Sequence, residues 1–339
     1  MRSQELSFGF ERELNPHLAA TIRFVHKQLD RAIDDIGDLV GAGDEAYIIA
    51  NPGEGLVAKY DISTGTSLFA PQGATNLTQT MPKATRNYNS LELGVTKLMG
   101  NNWTFHGSYM WSRDAGNYSG LSSSDEVGNG TGRNFSTNSA TPTGRDNPNN
   151  SRDFDYPSMS FDGHGNVLDG VLDTDRTHQV KAQGVYAFKW GTSVGVNAYL
   201  MSGTPITRQV PIISPDNYPI RYLGRGSEGR TPVFSQADLF AAHTIKMGGR
   251  RSLELSANVL NLFDQRAVVN RVGTMRRTGA IPLGPGYYTE AAFYAGQLNF
   301  DQLIAKSVAD GKMTLNPQFG MDSYYQAPIQ ARFAVKLRF

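Results

Sequence analysis

The last ten residues alternate polar and apolar side chains without a break. Ala331, Phe333, Val335, Leu337 and Phe339 fall on one face, and Gln330, Arg332, Lys336 and Arg338 fall on the other. Period two places successive side chains on opposite faces of a β-strand. So strict a division predicts a strand that meets a different solvent on each side. A soluble sandwich can also hold such a strand, although a strand running to the final residue frays there unless something ties it down.

The same pattern recurs eight more times, in pairs. Leu6, Phe8 and Phe10 lead to the turn Asn15-Pro16-His17, and Leu18, Ala20, Ile22 and Phe24 return against Thr21, Arg23 and Lys27. Leu91, Leu93 and Val95 lead through Gly100-Asn101-Asn102 to Trp103, Phe105, Gly107, Tyr109 and Trp111. Val180 to Phe188 pairs with Val194 to Leu200 around Trp190-Gly191. A fourth hairpin runs from about Ser235 to Lys246, turns at Gly248-Gly249-Arg250 and returns through Leu253, Leu255, Ala257 and Val259. Its phase slips at Leu260, so Asn261-Leu262-Phe263-Asp264 predicts a bulge or an exit from the membrane.

Between these hairpins lie segments of another kind, at roughly residues 30–85, 114–176, 209–232 and 265–326, rich in Gly, Asn, Asp, Ser and Pro. Turns of about three residues thus alternate with loops of several tens. Compact soluble domains seldom do this. Outer-membrane barrels do, with short periplasmic turns and long extracellular loops. Trp103 and Trp111, eight residues apart on one face, span roughly 20 Å along the normal of a tilted strand, which predicts one in each aromatic girdle. The alternative is a pair of core residues in a sandwich.

Composition agrees with a wall wetted on one side: hydrophobic residues make up only 39% of the 339 positions, while Gly contributes 36 residues and Tyr and Phe contribute 15 and 17. A formal net charge of +1 and the lack of a basic run interleaved with aromatics argue against nucleic acid as a partner. With no cysteine, disulfide scaffolds, thiolate metal sites and cysteine nucleophiles are excluded. No run of about 18 apolar residues is present to make a transmembrane helix. Residues 1–13 already read as strand rather than as a secretory signal, which leaves two expectations: the protein is not exported, or its true N-terminus lies upstream of Met1.

With the strands placed, the chain resembles the C-terminal part of a TonB-dependent outer-membrane receptor, most of all the Oar-like branch. The resemblance rests on Asn258-Val259-Leu260-Asn261-Leu262-Phe263-Asp264, similar to the family's N-L-F-D signature, and on the C-terminal strand ending in Phe339. Asp175-Arg176-Thr177-His178-Gln179, Ser202-Gly203-Thr204-Pro205 and Asn51-Pro52-Gly53-Glu54-Gly55 add to it by their order and spacing. The family implies a 22-stranded antiparallel barrel with an N-terminal plug and a TonB-contacting box. Residues 1–339 would then be a partial barrel domain holding the last nine strands. Geometry gives the same expectation: with nine antiparallel strands the first and last run the same way, and open edges are not tolerated in lipid.

Several candidate sites follow. Phe333, Val335, Leu337 and Phe339 resemble the signal read by the outer-membrane assembly machinery through strand augmentation; an ordinary edge strand is the plainer reading. The carboxylates Asp153, Asp155, Asp162, Asp169, Asp173 and Asp175 could bind calcium but lack EF-hand spacing, and a solvated acidic loop is the preferred expectation. Gly224 to Gly229 matches G-x-G-x-x-G in letters without the flanking strand and helix, so it reads as loop. Asn299 to Gly311 predicts a short helix with Asp301 as its N-cap and Gly311 as its stop. Loop tyrosines such as Tyr118, Tyr156, Tyr222, Tyr287 and Tyr294 suit ligand capture as well as ordinary packing.

No histidine spacing suggests a metal, no nucleophile elbow is present, and no catalytic residue, cofactor or metal ligand is assigned. The expected protein is an outer-membrane receptor or transporter barrel, not an enzyme. Its partners would be outer-membrane lipid, the assembly machinery, the TonB complex through an N-terminal region, and an extracellular ligand. An adhesive or structural barrel is the rival reading, and a secreted carbohydrate-binding β-protein is a third.

Overall fold

The computed structural model describes residues 1–40, 44–61, 78–120, 153–154, 157–214, 216–249 and 251–339. Nine long strands occur where period two places them. They are β1 (Arg2–Asn15), β2 (Leu18–Arg31), β3 (Arg86–Gly100), β4 (Trp103–Gly116), β5 (His178–Ala187), β6 (Thr192–Met201), β7 (Phe234–Lys246), β8 (Ser252–Leu260) and β9 (Gln330–Arg338). Each is antiparallel to the next, so the sheet is an up-and-down meander in sequence order, with the two-residue strand Gly170–Val171 added beside the far end of β4. β1 and β9 each pair with one neighbour and not with each other, so the sheet is open.

Register holds the two faces apart across the wall. One rung reads Phe10, Ile22, Leu93, Tyr109, Val180 and Leu200 on six successive strands. The next reads Glu11, Thr21, Gly94, Ser108, Lys181, Tyr199 and Gln236 on seven. A slip of one residue would exchange the rungs and turn charge toward lipid, which is why the register is so firmly specified. The short turns help to fix it. Asn101 and Asn102 both have positive φ, 54° and 69°, the geometry of the two-residue turn whose twist matches that of the strands.

The apolar core lies elsewhere. Among the described residues none of its members belongs to the nine strands; it is built from loop side chains, including Ile36, Met81, Tyr118, Phe154, Ile212, Tyr222, Phe293 and Phe300. The division has a physical reason: apolar strand side chains face lipid and need no core, whereas the long loops emerge into water and must bury their own. The loops therefore fold. They form hairpins Asp34–Val40 with Asp44–Ala50 and Val210–Ser214 with Asp216–Ile220, together with helices α1 (Glu290–Tyr294) and α2 (Phe300–Ala309).

Helix α2 is the helix that the sequence predicts, with one correction. Its N-cap is Asn299, whose side chain accepts from the Gln302 N–H at 3.1 Å; Asp301 sits in the first turn, where its charge complements the helix end. Phe300, Leu303, Ile304 and Ser307 give it a buried stripe, and Gly311, at φ 67°, stops it. The phase slip at Leu260 is the end of the strand and not a bulge. β8 ends there, and Asn261 and Asp264 take left-handed conformations at φ 51° and 47°.

Candidate functional site

A belt of ion pairs joins the long-loop ends of the strands to the folded cap. Beyond β4 the chain continues through Asn117, Tyr118 and Ser119, all buried. The Asp153 carboxylate accepts from the Ser119 N–H at 2.9 Å and from Arg225 Nη2 at 2.9 Å, and it pairs with Arg221 Nη1 at 3.2 Å. Arg225 also donates to the Asn117 carbonyl and the Ser119 hydroxyl. All three charged side chains are 1% exposed. Burial pushes the Asp153 pKa up, but Arg225, Arg221 and the Ser119 N–H together outweigh it and hold the carboxyl below its ordinary value.

A second knot lies beside it. Asp175 accepts from the Asp114 N–H at 2.7 Å and pairs with Arg230, while Asp114 receives Arg86 through two bonds of 2.7 and 3.1 Å. These contacts overturn the expectation of a solvated acidic loop for part of the set, while Asp169 is exposed as expected and Asp162 is half-buried. Asp153, Asp173 and Asp175 are buried, and the positive charge that neutralises Asp153 and Asp175 is guanidinium from the loop at 209–232. Asp162 takes the backbone N–H groups of His164 and Asn166 in a local turn. No group of three or more metal-ligating side chains occurs among the described residues. Asp155 and Tyr156 lie outside them.

The short motifs acquire distinct structural jobs. Arg176 Nη1 donates to the Ser202 carbonyl at 2.7 Å, and the Ser202 hydroxyl accepts from the His178 N–H, so the segments at 175–179 and 202–205 lock the open end of the β5–β6 hairpin. A Cβ at Gly203 would lie 1.7 Å from the Thr231 carbonyl oxygen, a contact no other residue tolerates. Glu54 receives Arg31 at 2.6 Å and Lys83 at 2.7 Å, fastening the segment at 51–55 to β2. Asn261 is buried. Its side chain donates to the Gln265 and Ala327 carbonyls and accepts from the Gln265 N–H, and its own N–H reaches Asp238 at 2.9 Å. Leu262 N–H donates to the Ala237 carbonyl, Asp264 accepts from the Ile329 N–H, and Phe263 is left 70% exposed. The motif thus turns the chain out of β8 and holds the segment that returns to β9.

Higher in the cap, Arg208 lies over the Phe319 ring at 5.2 Å and donates to Glu228 at 2.5 Å, beside the Tyr222 hydroxyl. The sequence at 224–229 is loop, with Gly224, Gly226 and Gly229 all at positive φ. On the inward face of the wall a cleft of about 480 Å³ is bordered by Thr104, His106, Gln183, Asn197, Asp238, Phe240 and Asn258. It combines hydrogen-bonding groups with Phe105, Phe240 and aliphatic side chains, a mixed lining suited to a ligand with both polar and apolar parts.

The remaining predicted residues are distributed as follows. Trp103 lies at the short-turn end of β4, opposite Tyr186, and Trp111 lies toward the loop end, opposite His178; both are outward and exposed. Lys97 places its ammonium 4.0 Å over the Trp103 ring. Phe333, Val335, Leu337 and Phe339 are all exposed on the outward side of the wall's last strand. Tyr118, Tyr222, Tyr287 and Tyr294 pack within the cap rather than projecting from it. Sequence reading missed Arg221, Arg225 and Arg230, whose signal was three arginines close together in a loop facing an acidic one.

Residues 1–210 match the family model described as an outer membrane beta barrel domain. The chain belongs to that family. It is 25% identical over 348 aligned positions to the TonB-dependent transporter Oar of Myxococcus xanthus, an alignment that covers 99% of this chain and 28% of that protein. The chain therefore spans little more than a quarter of the length of the relative it matches. Among solved structures, the outer membrane transporter YddB from Escherichia coli superposes with a TM-score of 0.42 and 11% identity, over 79% of this chain and 29% of the other. The protein is thus an all-β, antiparallel outer-membrane barrel protein with an open sheet, and the relative it matches is a transporter.

Proposed function

We propose that residues 1–339 are part of one barrel domain of a receptor-transporter whose folded loop cap gathers a ligand from outside and whose inward wall guides it through. The observation that carries this reading is the belt joining a buried loop core to the strand ends directly above a polar inward face. An anchored cap offers a preorganised surface, which lowers the ordering cost of capture. The inward cleft, with its amide, imidazole and carboxylate groups around Phe240, supplies the next contact. Coupling to TonB belongs to the intact protein, as the name of its Myxococcus relative suggests. The role is transport, not catalysis.

The test uses cells producing the intact protein, supplied with peptide, saccharide and metal-chelate mixtures. Depletion of a component that requires the protein and stops when the inner-membrane potential is dissipated supports the reading. Unchanged depletion together with lost attachment to polymer surfaces overturns it in favour of an adhesive barrel.

A further inference from the structure

The short-turn rim has a charge unlike that of the remainder of the chain. Counting the four turns, the four strand residues on either side and the last four residues of β9, it holds eight basic residues, Arg12, Lys97, Lys189, Lys246, Arg250, Arg251, Lys336 and Arg338, against two acidic ones, Glu13 and Glu254. That leaves 24 basic and 29 acidic residues for everything else, so the rim alone makes the chain net positive.

Pairing differs as well. At the long-loop rim, Arg2, Arg31, Lys83, Arg86 and Arg230 are matched to carboxylates, while Arg113, Lys181 and Arg332 make no ion pair among the described residues. At the short-turn rim Arg338 reaches Glu254 at 3.4 Å, and the Lys97 ammonium is taken up by the Gly100 and Trp103 carbonyls and the indole face. Among the described residues Arg12, Lys189 and Arg251 make no ion pair, and all three are exposed. By strand alternation Arg12 shares the outward face with Phe8 and Phe10, and Arg251 continues that of Leu253 and Leu255.

Apolar side chains stand at the same level. Leu14, Leu98, Met99, Trp190 and Met247 are each about half exposed or more. Trp190 is held rather than loose: its ring stacks on Phe188 at 4.4 Å, Phe188 meets Tyr186 at 4.6 Å, and the indole N–H donates to Thr192 at 2.7 Å. Rigid aromatics beside unpaired cations match the boundary of a bilayer, where rings settle among headgroups and long basic side chains extend to them. Anionic lipid adds electrostatic attraction to that contact.

We infer that this rim binds anionic phospholipid headgroups of the periplasmic leaflet, with Arg12, Lys189 and Arg251 as the charged contacts and the Tyr186–Phe188–Trp190 stack as the apolar anchor. The inference rests on outer-membrane placement and is independent of what the cap binds.

Native mass spectrometry of the intact protein, released from nanodiscs of phosphatidylethanolamine with or without phosphatidylglycerol, tests it. Retained phosphatidylglycerol should exceed its share of the bilayer. The triple variant Arg12→Gln, Lys189→Gln, Arg251→Gln should lose that enrichment, each charge being worth about fivefold at most. Replacing each of the three by the other basic residue should keep it, as should Lys59→Gln, Arg277→Gln, Lys312→Gln on the loop side. No enrichment in the parent protein overturns the inference. Equal loss in the loop-side variant also overturns it, since net charge alone would then be responsible. So does a rim that shows no lipid preference yet is needed for cross-linking to an acidic periplasmic protein.

Discussion

The most consequential charge in the cap is Asp153, because it pairs with two guanidinium groups buried as deeply as it is. Removing one member of a buried ionic cluster costs about 3–5 kcal/mol. Asp153→Asn is expected to open the cap and leave the nine-stranded wall in place. Limited proteolysis should then cut near residues 117–119 and 221–225 in the variant at protease levels that leave the parent intact. The same carboxyl predicts a pH response. Its folded pKa lies below the ordinary value of 3.8, so the stabilisation is fully present above about pH 4 and is lost as pH falls through the depressed value. Protease resistance of the cap should persist from neutral pH to about 4 and fall away only below it; loss of resistance already near pH 6 would mean that another group controls the cap. Sequence showed the acids of this cluster but not their partners. Arg221 and Arg225 lie some seventy residues away, and no local period links them to Asp153.

At the scale of elements, every long strand was legible, because period two is enforced by lipid on one side and water on the other. Where only one of these solvents acts, legibility fades. The small hairpins and α1 in the loops are held by tertiary burial and leave no regular pattern. The N-cap of α2 was misplaced by two residues since Asn299 and Asp301 are both good capping types, and only the direction of the chain entering the helix selects between them. The exit from β8 was visible as a broken phase, while its cause, an asparagine that feeds three backbone partners, was not. Asn261→Ala should free those groups at a buried position, a loss of about 1–3 kcal/mol. Hydrogen exchange at Gln265 and Ile329 should quicken with little change along β3 and β4. Unaltered exchange at both amides would show that the motif does not fasten the β8–β9 connection.

For the whole molecule the organising fact is that one chain meets three surroundings: lipid outside the wall, water within it, and a protein core only in the cap. Neighbouring residues can therefore respond oppositely to one substitution. Val196 and Asn197 are adjacent in β6, the first outward in a rung with Gly184 and Leu239, the second inward on the cleft beside Gln183 and Asp238. A basic residue on the lipid face near mid-membrane costs about 2–4 kcal/mol, whereas water or a carboxylate accommodates it on the inner face. Val196→Arg should reduce the heat-modifiable, outer-membrane-assembled fraction of the intact protein several-fold, and Asn197→Arg should leave assembly near the parent level. Transport, if the inward cleft lies on the path, should show the reverse order, with Asn197→Arg the more damaging per assembled molecule because it sets a cation beside Asp238. Equal assembly defects in the two variants would show that the two faces of the wall are not divided between lipid and water.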